Sequence, residues 1–172
     1  MFRLRCTRKL LQRIKDEPFE GTVLTTTALG DWYANVIPMP FGELLLFVNE
    51  RSLLTVAIPG EDVRYILPQL RQRVDNLLKQ FNVPNRLVIA ELRNMDNIQI
   101  AKTKSRSVLG SMNDIALNYQ IMVEYDETDT IQNLGELEQK LSSMPHKPLD
   151  YGFPVDIALK LLEDEYGHSD TN

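Results

Sequence analysis

In some segments of the chain, hydrophobic and polar residues alternate with the period of two that is typical of β-strands. Phe2 and Leu4 alternate with arginines at the start of the chain. Four further β-like runs follow, at 32–37, 43–48, 53–58 and 98–101. Only short polar or proline-containing segments separate the runs at 32–58, which favours an antiparallel meander.

Other segments have the period of an amphipathic helix. Apolar residues from Val63 to Phe81 fall on one stripe, which Pro68 is expected to bend or interrupt. Pro84 predicts the start of a helix that ends near Met95, and Thr7 is predicted to cap a helix carrying Leu10, Leu11 and Ile14. Two more helices are predicted at 130–142 and 155–165.

The stretch 107–125 fits both periods. Val108, Met112, Ile115, Tyr119 and Met122 have helical spacing, whereas alternate residues from Ile115 to Val123 are apolar, as in a strand. We favour a helix because Ser107 is a good N-cap and the run is long for a strand.

Together these patterns predict an α+β protein with an antiparallel sheet of four to five strands covered by helices. A single domain is expected over residues 1–165, followed by an acidic polar tail at 166–172. A chain of 172 residues buries roughly 70% of its unfolded surface without needing a metal or a disulfide.

Composition narrows the function classes. The chain is 43% hydrophobic and 25% charged, and its apolar runs are shorter than the roughly 20 residues that span a bilayer. Its N-terminus lacks the apolar stretch of a secretion signal. A single cysteine, Cys6, cannot form an internal disulfide, and two histidines add little toward a zinc site. A cytoplasmic location is therefore expected.

Charge is unevenly distributed along the chain. The formal net charge of −5 argues against nonspecific binding to nucleic acid. Six cations nevertheless precede the first acidic residue, and four acidic residues lie near the end: Arg3, Arg5, Arg8, Lys9, Arg13 and Lys15, then Glu163, Asp164, Glu165 and Asp170. These ends are either a solvated helix face and a frayed tail or an electrostatic surface that docks a protein partner.

The segment 102–114 is the most informative candidate site. The standard phosphate-loop, dinucleotide-binding, serine-hydrolase and zinc-protease motifs do not occur in the sequence. A predicted strand-to-helix junction, however, carries cations and hydroxyls that could bind phosphate or carboxylate through a helix N-terminus. The candidate ligand-binding residues are Lys102, Lys104, Arg106, Ser107, Ser111, Asn113 and Asp114. In the alternative, purely structural interpretation, Ser107 caps the helix and the cations are solvated.

The run 31–35 adds three candidates, Asp31, Trp32 and Asn35. On a strand, Asp31, Tyr33 and Asn35 share one face. If Asp31 meets Asp114 in space, their carboxylates could hold Mg²⁺ or Mn²⁺. The alternative is that Asp31 caps a turn or strand end, Trp32 is a core residue and Asp114 is a surface charge.

Three motifs resemble a known family. They are Asp-Trp-Tyr-Ala-Asn at 31–35, Leu-Phe-Val-Asn-Glu-Arg-Ser-Leu-Leu at 46–54, and Lys-Thr at 102–103 followed by Arg-Ser-Val-Leu-Gly-Ser-Met-Asn-Asp at 106–114. On these motifs the chain resembles domain of unknown function 6933, over most of its length. The resemblance implies a cytoplasmic protein of bacteria or their mobile elements, and implies no activity, cofactor or catalytic residue.

Two functions remain open from the sequence. The favoured one is a non-enzymatic binding module for a protein partner or a small anionic ligand. The alternative is a metal-assisted phosphodiester or nucleotide hydrolase built from Lys102, Lys104, Arg106, Asn113 and Asp114 with Asp31 and Asn35. The sequence specifies no cofactor for either.

Overall fold

A computed structural model describes residues 1–15, 17–22, 24–60, 63–125 and 134–167. Five strands and six helices are assigned within these ranges, in the order β1 (Phe2–Cys6), α1 (Arg8–Ile14), β2 (Trp32–Met39), β3 (Gly42–Asn49), β4 (Thr55–Pro59), α2 (Ile66–Gln80), α3 (Asn85–Asn94), β5 (Ile98–Lys102), α4 (Arg106–Tyr125), α5 (Leu134–Ser142) and α6 (Pro154–Tyr166). Short 3-10 turns lie at Val63–Tyr65 and Lys147–Leu149.

The α+β class, the strand count and the helical cover are confirmed, but the sheet is mixed rather than antiparallel. Its strand order is β4-β3-β2-β1-β5. The predicted meander of β2, β3 and β4 is antiparallel, whereas β1 runs parallel to both β2 and β5. Parallel neighbours need crossover connections. Here α1 lies between β1 and β2, and α2 and α3 precede β5, so neither connection is a hairpin.

Each face of the sheet contributes to a separate core. On the first face, side chains such as Leu4, Trp32 and Phe47 pack with residues of α1, α2, α3 and α6. On the second face, Tyr33 and Leu46 pack with residues of α4 and α5. Burial on both faces explains why β3 reads as a continuous apolar run, since neither side of it meets water.

The stretch 107–125 is helical, as predicted. Val108, Met112, Ile115, Tyr119 and Val123 are its buried apolar residues, with the spacing of one helix face. The two-residue alternation is incidental, because its other members include exposed positions.

The predicted caps are partly wrong. Ser105, not Ser107, is the N-cap of α4. Its Oγ accepts the Val108 N–H at 3.2 Å, and its carbonyl accepts the Leu109 N–H. Thr7 precedes α1, but its hydroxyl donates to Asn35 instead of capping the helix. Pro68 lies in the first turn of α2, where proline is tolerated, and so does not interrupt the helix.

The remaining helices agree with the predictions. α3 follows Pro84, and α6 covers the predicted 155–165. The start of the predicted helix at 130–142, residues 130–133, lies outside the described residues, as do Asp16 and most of the tail, 168–172. Within the described ranges, no helix combines the length and apolarity needed to cross a membrane.

A buried ion pair lies at the β4 edge of the sheet. Glu138 of α5 accepts the outward N–H of Ala57 on edge strand β4 at 2.8 Å. Its carboxylate also accepts two bonds from Arg73 of α2, at 3.0 Å from Nε and 2.5 Å from Nη2. The side chain thus satisfies a strand-edge donor and joins helices from both faces of the sheet.

We predict that Glu138→Ala lowers the free energy of unfolding by about 3 kcal/mol, because it leaves the Ala57 N–H and the Arg73 guanidinium without their partner. Urea unfolding measures the change. Glu136→Ala, at an exposed position of the same helix, is the control and should shift stability by no more than about 0.5 kcal/mol. Equal losses in the two variants would contradict the role assigned to Glu138.

Stability should also depend on pH through this residue. Burial raises the pKa of Glu138 from 4.5 to about 7. Because the folded pKa lies above the unfolded one, the part of the stability that comes from the raised pKa is full below about pH 4.5 and is lost as pH rises through about 7, whereas the hydrogen bonds to Ala57 and Arg73 remain. The difference in unfolding free energy between wild type and Glu138→Gln should therefore change across this window and level off above it. A constant difference would contradict the raised pKa.

Candidate functional site

A cavity of about 370 Å³ lies on the second face of the sheet, where β1 and β5 are neighbours. Four cationic side chains line it, Arg3 and Arg5 of β1 with Lys102 and Lys104 at the end of β5. The segment 19–22 completes the lining. The volume is within the range of small-molecule sites, about 300–1,000 Å³.

Strand register brings the two arginines into the cavity. Arg3 and Arg5 are two residues apart on β1, so both project from one face while Leu4 between them enters the first core. Arg5 pairs with Tyr33 on one side and Ala101 on the other. On the same face α4 contacts β2 and β3, and α5 contacts β4, so the helices cover the other end of the sheet.

One buried carboxylate organises the arginines. Asp31 is 1% exposed and precedes β2. Its Oδ2 accepts the Nε–H of Arg3 at 2.6 Å and that of Arg5 at 3.0 Å. Its Oδ1 accepts the Arg3 backbone N–H at 3.0 Å and the Thr25 hydroxyl at 3.1 Å. Four donors thus surround the carboxylate and hold both guanidinium groups in fixed orientations.

The ends of the guanidinium groups are left for other partners. Asp31 accepts hydrogen bonds from the Nε atoms of Arg3 and Arg5, and Arg5 Nη1 donates to the Lys102 carbonyl at 3.2 Å. Among the described residues, the Nη atoms of Arg3 and the Nη2 atom of Arg5 have no hydrogen-bond partner. Guanidinium N–H groups in this arrangement match the oxygens of carboxylate and phosphate.

The segment 19–22 is attached to the edge of β5. The Phe19 N–H donates to the Ile100 carbonyl at 2.8 Å, and Glu20 pairs with Lys102 at 2.8 Å. Lys102 lowers the pKa of Glu20 through this hydrogen bond. The exposed Phe19 ring folds back over Gly21 and occupies the space in which a Cβ at that position would lie.

The predicted site residues are only partly brought together. Lys102 and Lys104 line the cavity, whereas Arg106 and Ser107 are exposed on the first turn of α4. Ser111 is buried and donates to the Ser107 carbonyl at 3.2 Å. Asn113 and Asp114 are exposed on the same helix and do not line the cavity.

The residues of the run 31–35 have separate roles. Trp32 is fully buried in the first core, and its indole Nε1 has no partner in the described part of the chain. Asn35 Oδ1 accepts the Thr7 hydroxyl and the Val36 N–H, both at 2.8 Å. Tyr33 lies beside Arg5, and its hydroxyl accepts the Ser105 N–H at 3.0 Å, which fixes the loop that carries Lys104.

The geometry gives no support to a shared metal site at Asp31 and Asp114. The Asp31 oxygens already accept four hydrogen bonds, two of them from cations that would repel a metal ion. Asp114 is exposed on α4. In the ranges that the structure describes, no group of three or more His, Cys, Asp or Glu side chains could hold a metal.

Sequence reasoning missed Arg3 and Arg5 as site residues. In the sequence they belong to the N-terminal run of cations, which the structure divides between β1 and α1. Lys9 and Arg13 of that run pair with Glu43, on another part of the surface. The available signal was the alternation with Phe2 and Leu4, since an arginine between two core residues on a strand must face the opposite side of the sheet.

We predict that Asp31→Asn lowers the free energy of unfolding by about 3 kcal/mol, because it removes the charge that balances two largely buried arginines. Asp114→Asn makes the same chemical change at an exposed position and should cost no more than about 0.5 kcal/mol. Urea unfolding of both variants tests this. A wild-type midpoint for Asp31→Asn would show that the ion pairs contribute nothing.

Comparison with known proteins places the chain in a family. The family model, described as Domain of unknown function (DUF6933), matches residues 3–157. This range includes every residue that lines the cavity. No curated protein and no solved structure matches the chain significantly. The resemblance found in the three motifs is confirmed, and the chain belongs to the DUF6933 family.

Proposed function

We propose that the protein is a non-enzymatic binding module for a small anionic ligand, which it holds in the cavity between β1 and β5. The observation that carries this proposal is the pair Arg3 and Arg5, fixed at their Nε atoms by one buried carboxylate with guanidinium N–H groups left toward the cavity. Arginines fixed in advance lose little side-chain entropy when they bind an anion.

The charge of the cavity supports the same ligand class. Four cations line it, Asp31 lies behind the arginines, and Glu20 lies at the rim, which leaves two positive charges in excess. The protein as a whole carries a net charge of −5. A positive cavity in an acidic protein attracts small anions, whereas the overall charge disfavours an extended polyanion such as nucleic acid.

The volume of the cavity and the strands that carry its cations fit a small ligand rather than a protein surface. The volume of about 370 Å³ accommodates a ligand of a few tens of atoms or fewer. The cations come from β1 and the end of β5, which are rigid elements of the sheet. A hydrolase would also need a general base or a metal at the site, whereas Asp31 is already bonded to four donors and Glu20 is paired with Lys102.

We predict that inorganic phosphate raises the melting temperature and binds with an affinity that Lys104→Gln weakens about fivefold, the effect of losing one exposed ion contact. Lys104 is exposed, so its replacement should leave folding intact. Isothermal titration calorimetry at low ionic strength measures the affinity.

Arg106→Gln is the matched control, with the same change of charge two residues along. Arg106 is exposed and lies outside the cavity lining, so this variant should bind phosphate as wild type does. Weaker binding by Arg106→Gln alone would place the anion at the first turn of α4, as the sequence suggested. A wild-type protein that phosphate neither stabilises nor binds would exclude the proposed function.

A further inference from the structure

We infer that the anion bound in the cavity is of the phosphate class and that, when it binds, it displaces the Glu20 carboxylate from its ion pair with Lys102. The inference rests on the proposed function and adds the chemistry of the ligand and a competitor built into the chain. It is carried by the position of Glu20, a carboxylate that lines a cationic cavity and already pairs with one of its cations.

Glu20 is placed to be displaced. Its Oε1 lies 2.8 Å from Lys102 Nζ, and the two side chains are 77% and 64% exposed. An ion pair that exposed contributes little stability, so a ligand can separate it at little cost. The backbone beside it is bonded to β5 through Phe19, so the carboxylate stays near Lys102 at a high effective concentration.

The same arrangement selects against a monocarboxylate ligand. Such a ligand would exchange one carboxylate for an identical one at Lys102 and gain little from the exchange. Arginine binds carboxylate and phosphate equally well in geometric terms, so Arg3 and Arg5 do not discriminate by shape. Phosphate offers more oxygens than a monocarboxylate and a second charge, which balances the two excess positive charges of the cavity lining.

The first test compares inorganic phosphate with acetate on the wild-type chain, by calorimetry at pH 8 and constant ionic strength. Phosphate should bind about fivefold or more tightly than acetate, since a second charge near the cations strengthens the attraction even in water. Acetate binding as tightly as phosphate would overturn the assignment of the ligand class.

The second test is a double-mutant cycle. Glu20→Gln should strengthen phosphate binding about two- to fivefold by removing the competitor, whereas Glu17→Gln, an exposed site nearby that does not line the cavity, should leave it unchanged. In a Lys102→Gln background, Glu20→Gln should give no gain, because the cation for which the two anions compete is gone.

The outcomes separate the inference from the proposed function. If Glu20→Gln gives no gain, or if the gain persists without Lys102, the displacement is wrong, even where phosphate binds and Lys104→Gln weakens it. If the wild-type chain binds neither anion, the proposed function and the inference both fail.

Discussion

The ion pairs between Asp31 and the arginines of β1 are the interaction on which the rest of this end of the molecule depends. A carboxylate that is 1% exposed has lost nearly all its hydration, which costs several kcal/mol unless polar partners replace the water. Four donors do so here. Without Asp31, two guanidinium groups would lie side by side on one face of β1 with no anion to balance their charge.

Asp31 also belongs to a wider polar network at the start of β2. Asn49 at the end of β3 donates to the carbonyl of Asp31, and the Glu50 backbone N–H donates to the same carbonyl at 3.1 Å. The segment before Asp31 is held in turn by Glu91, which accepts the Ala28 and Leu29 N–H groups. Burial raises the pKa of Glu91. The loop that enters β2 is thus fixed by contacts from β1, from residues 49–50 and from Glu91 of α3.

Local patterns predicted most of the fold. Helical spacing from Val108 to Val123 outweighed an equally regular alternation, because only one face of that run meets the second core. The direction of β1 could not be read locally, since parallel pairing with β5 depends on how α2 and α3 cross the sheet. Lys102 and Lys104 could be found as candidates from composition. The alternation with Phe2 and Leu4 places Arg3 and Arg5 on one face of β1, but their proximity to the lysines could not be predicted, because the contact joins residues almost a hundred positions apart.

The place of β1 between β2 and β5 has a consequence for the order of events during synthesis. β1 is synthesised before both of its neighbours, β2 and β5, and its register with β5 requires residues up to Lys102. Contacts of such long sequence separation slow folding, because the loop between them must close first. During translation the apolar side chains of β1 therefore stay partly uncovered until β5 has been made, and a chaperone that shields this strand should raise the yield of native protein.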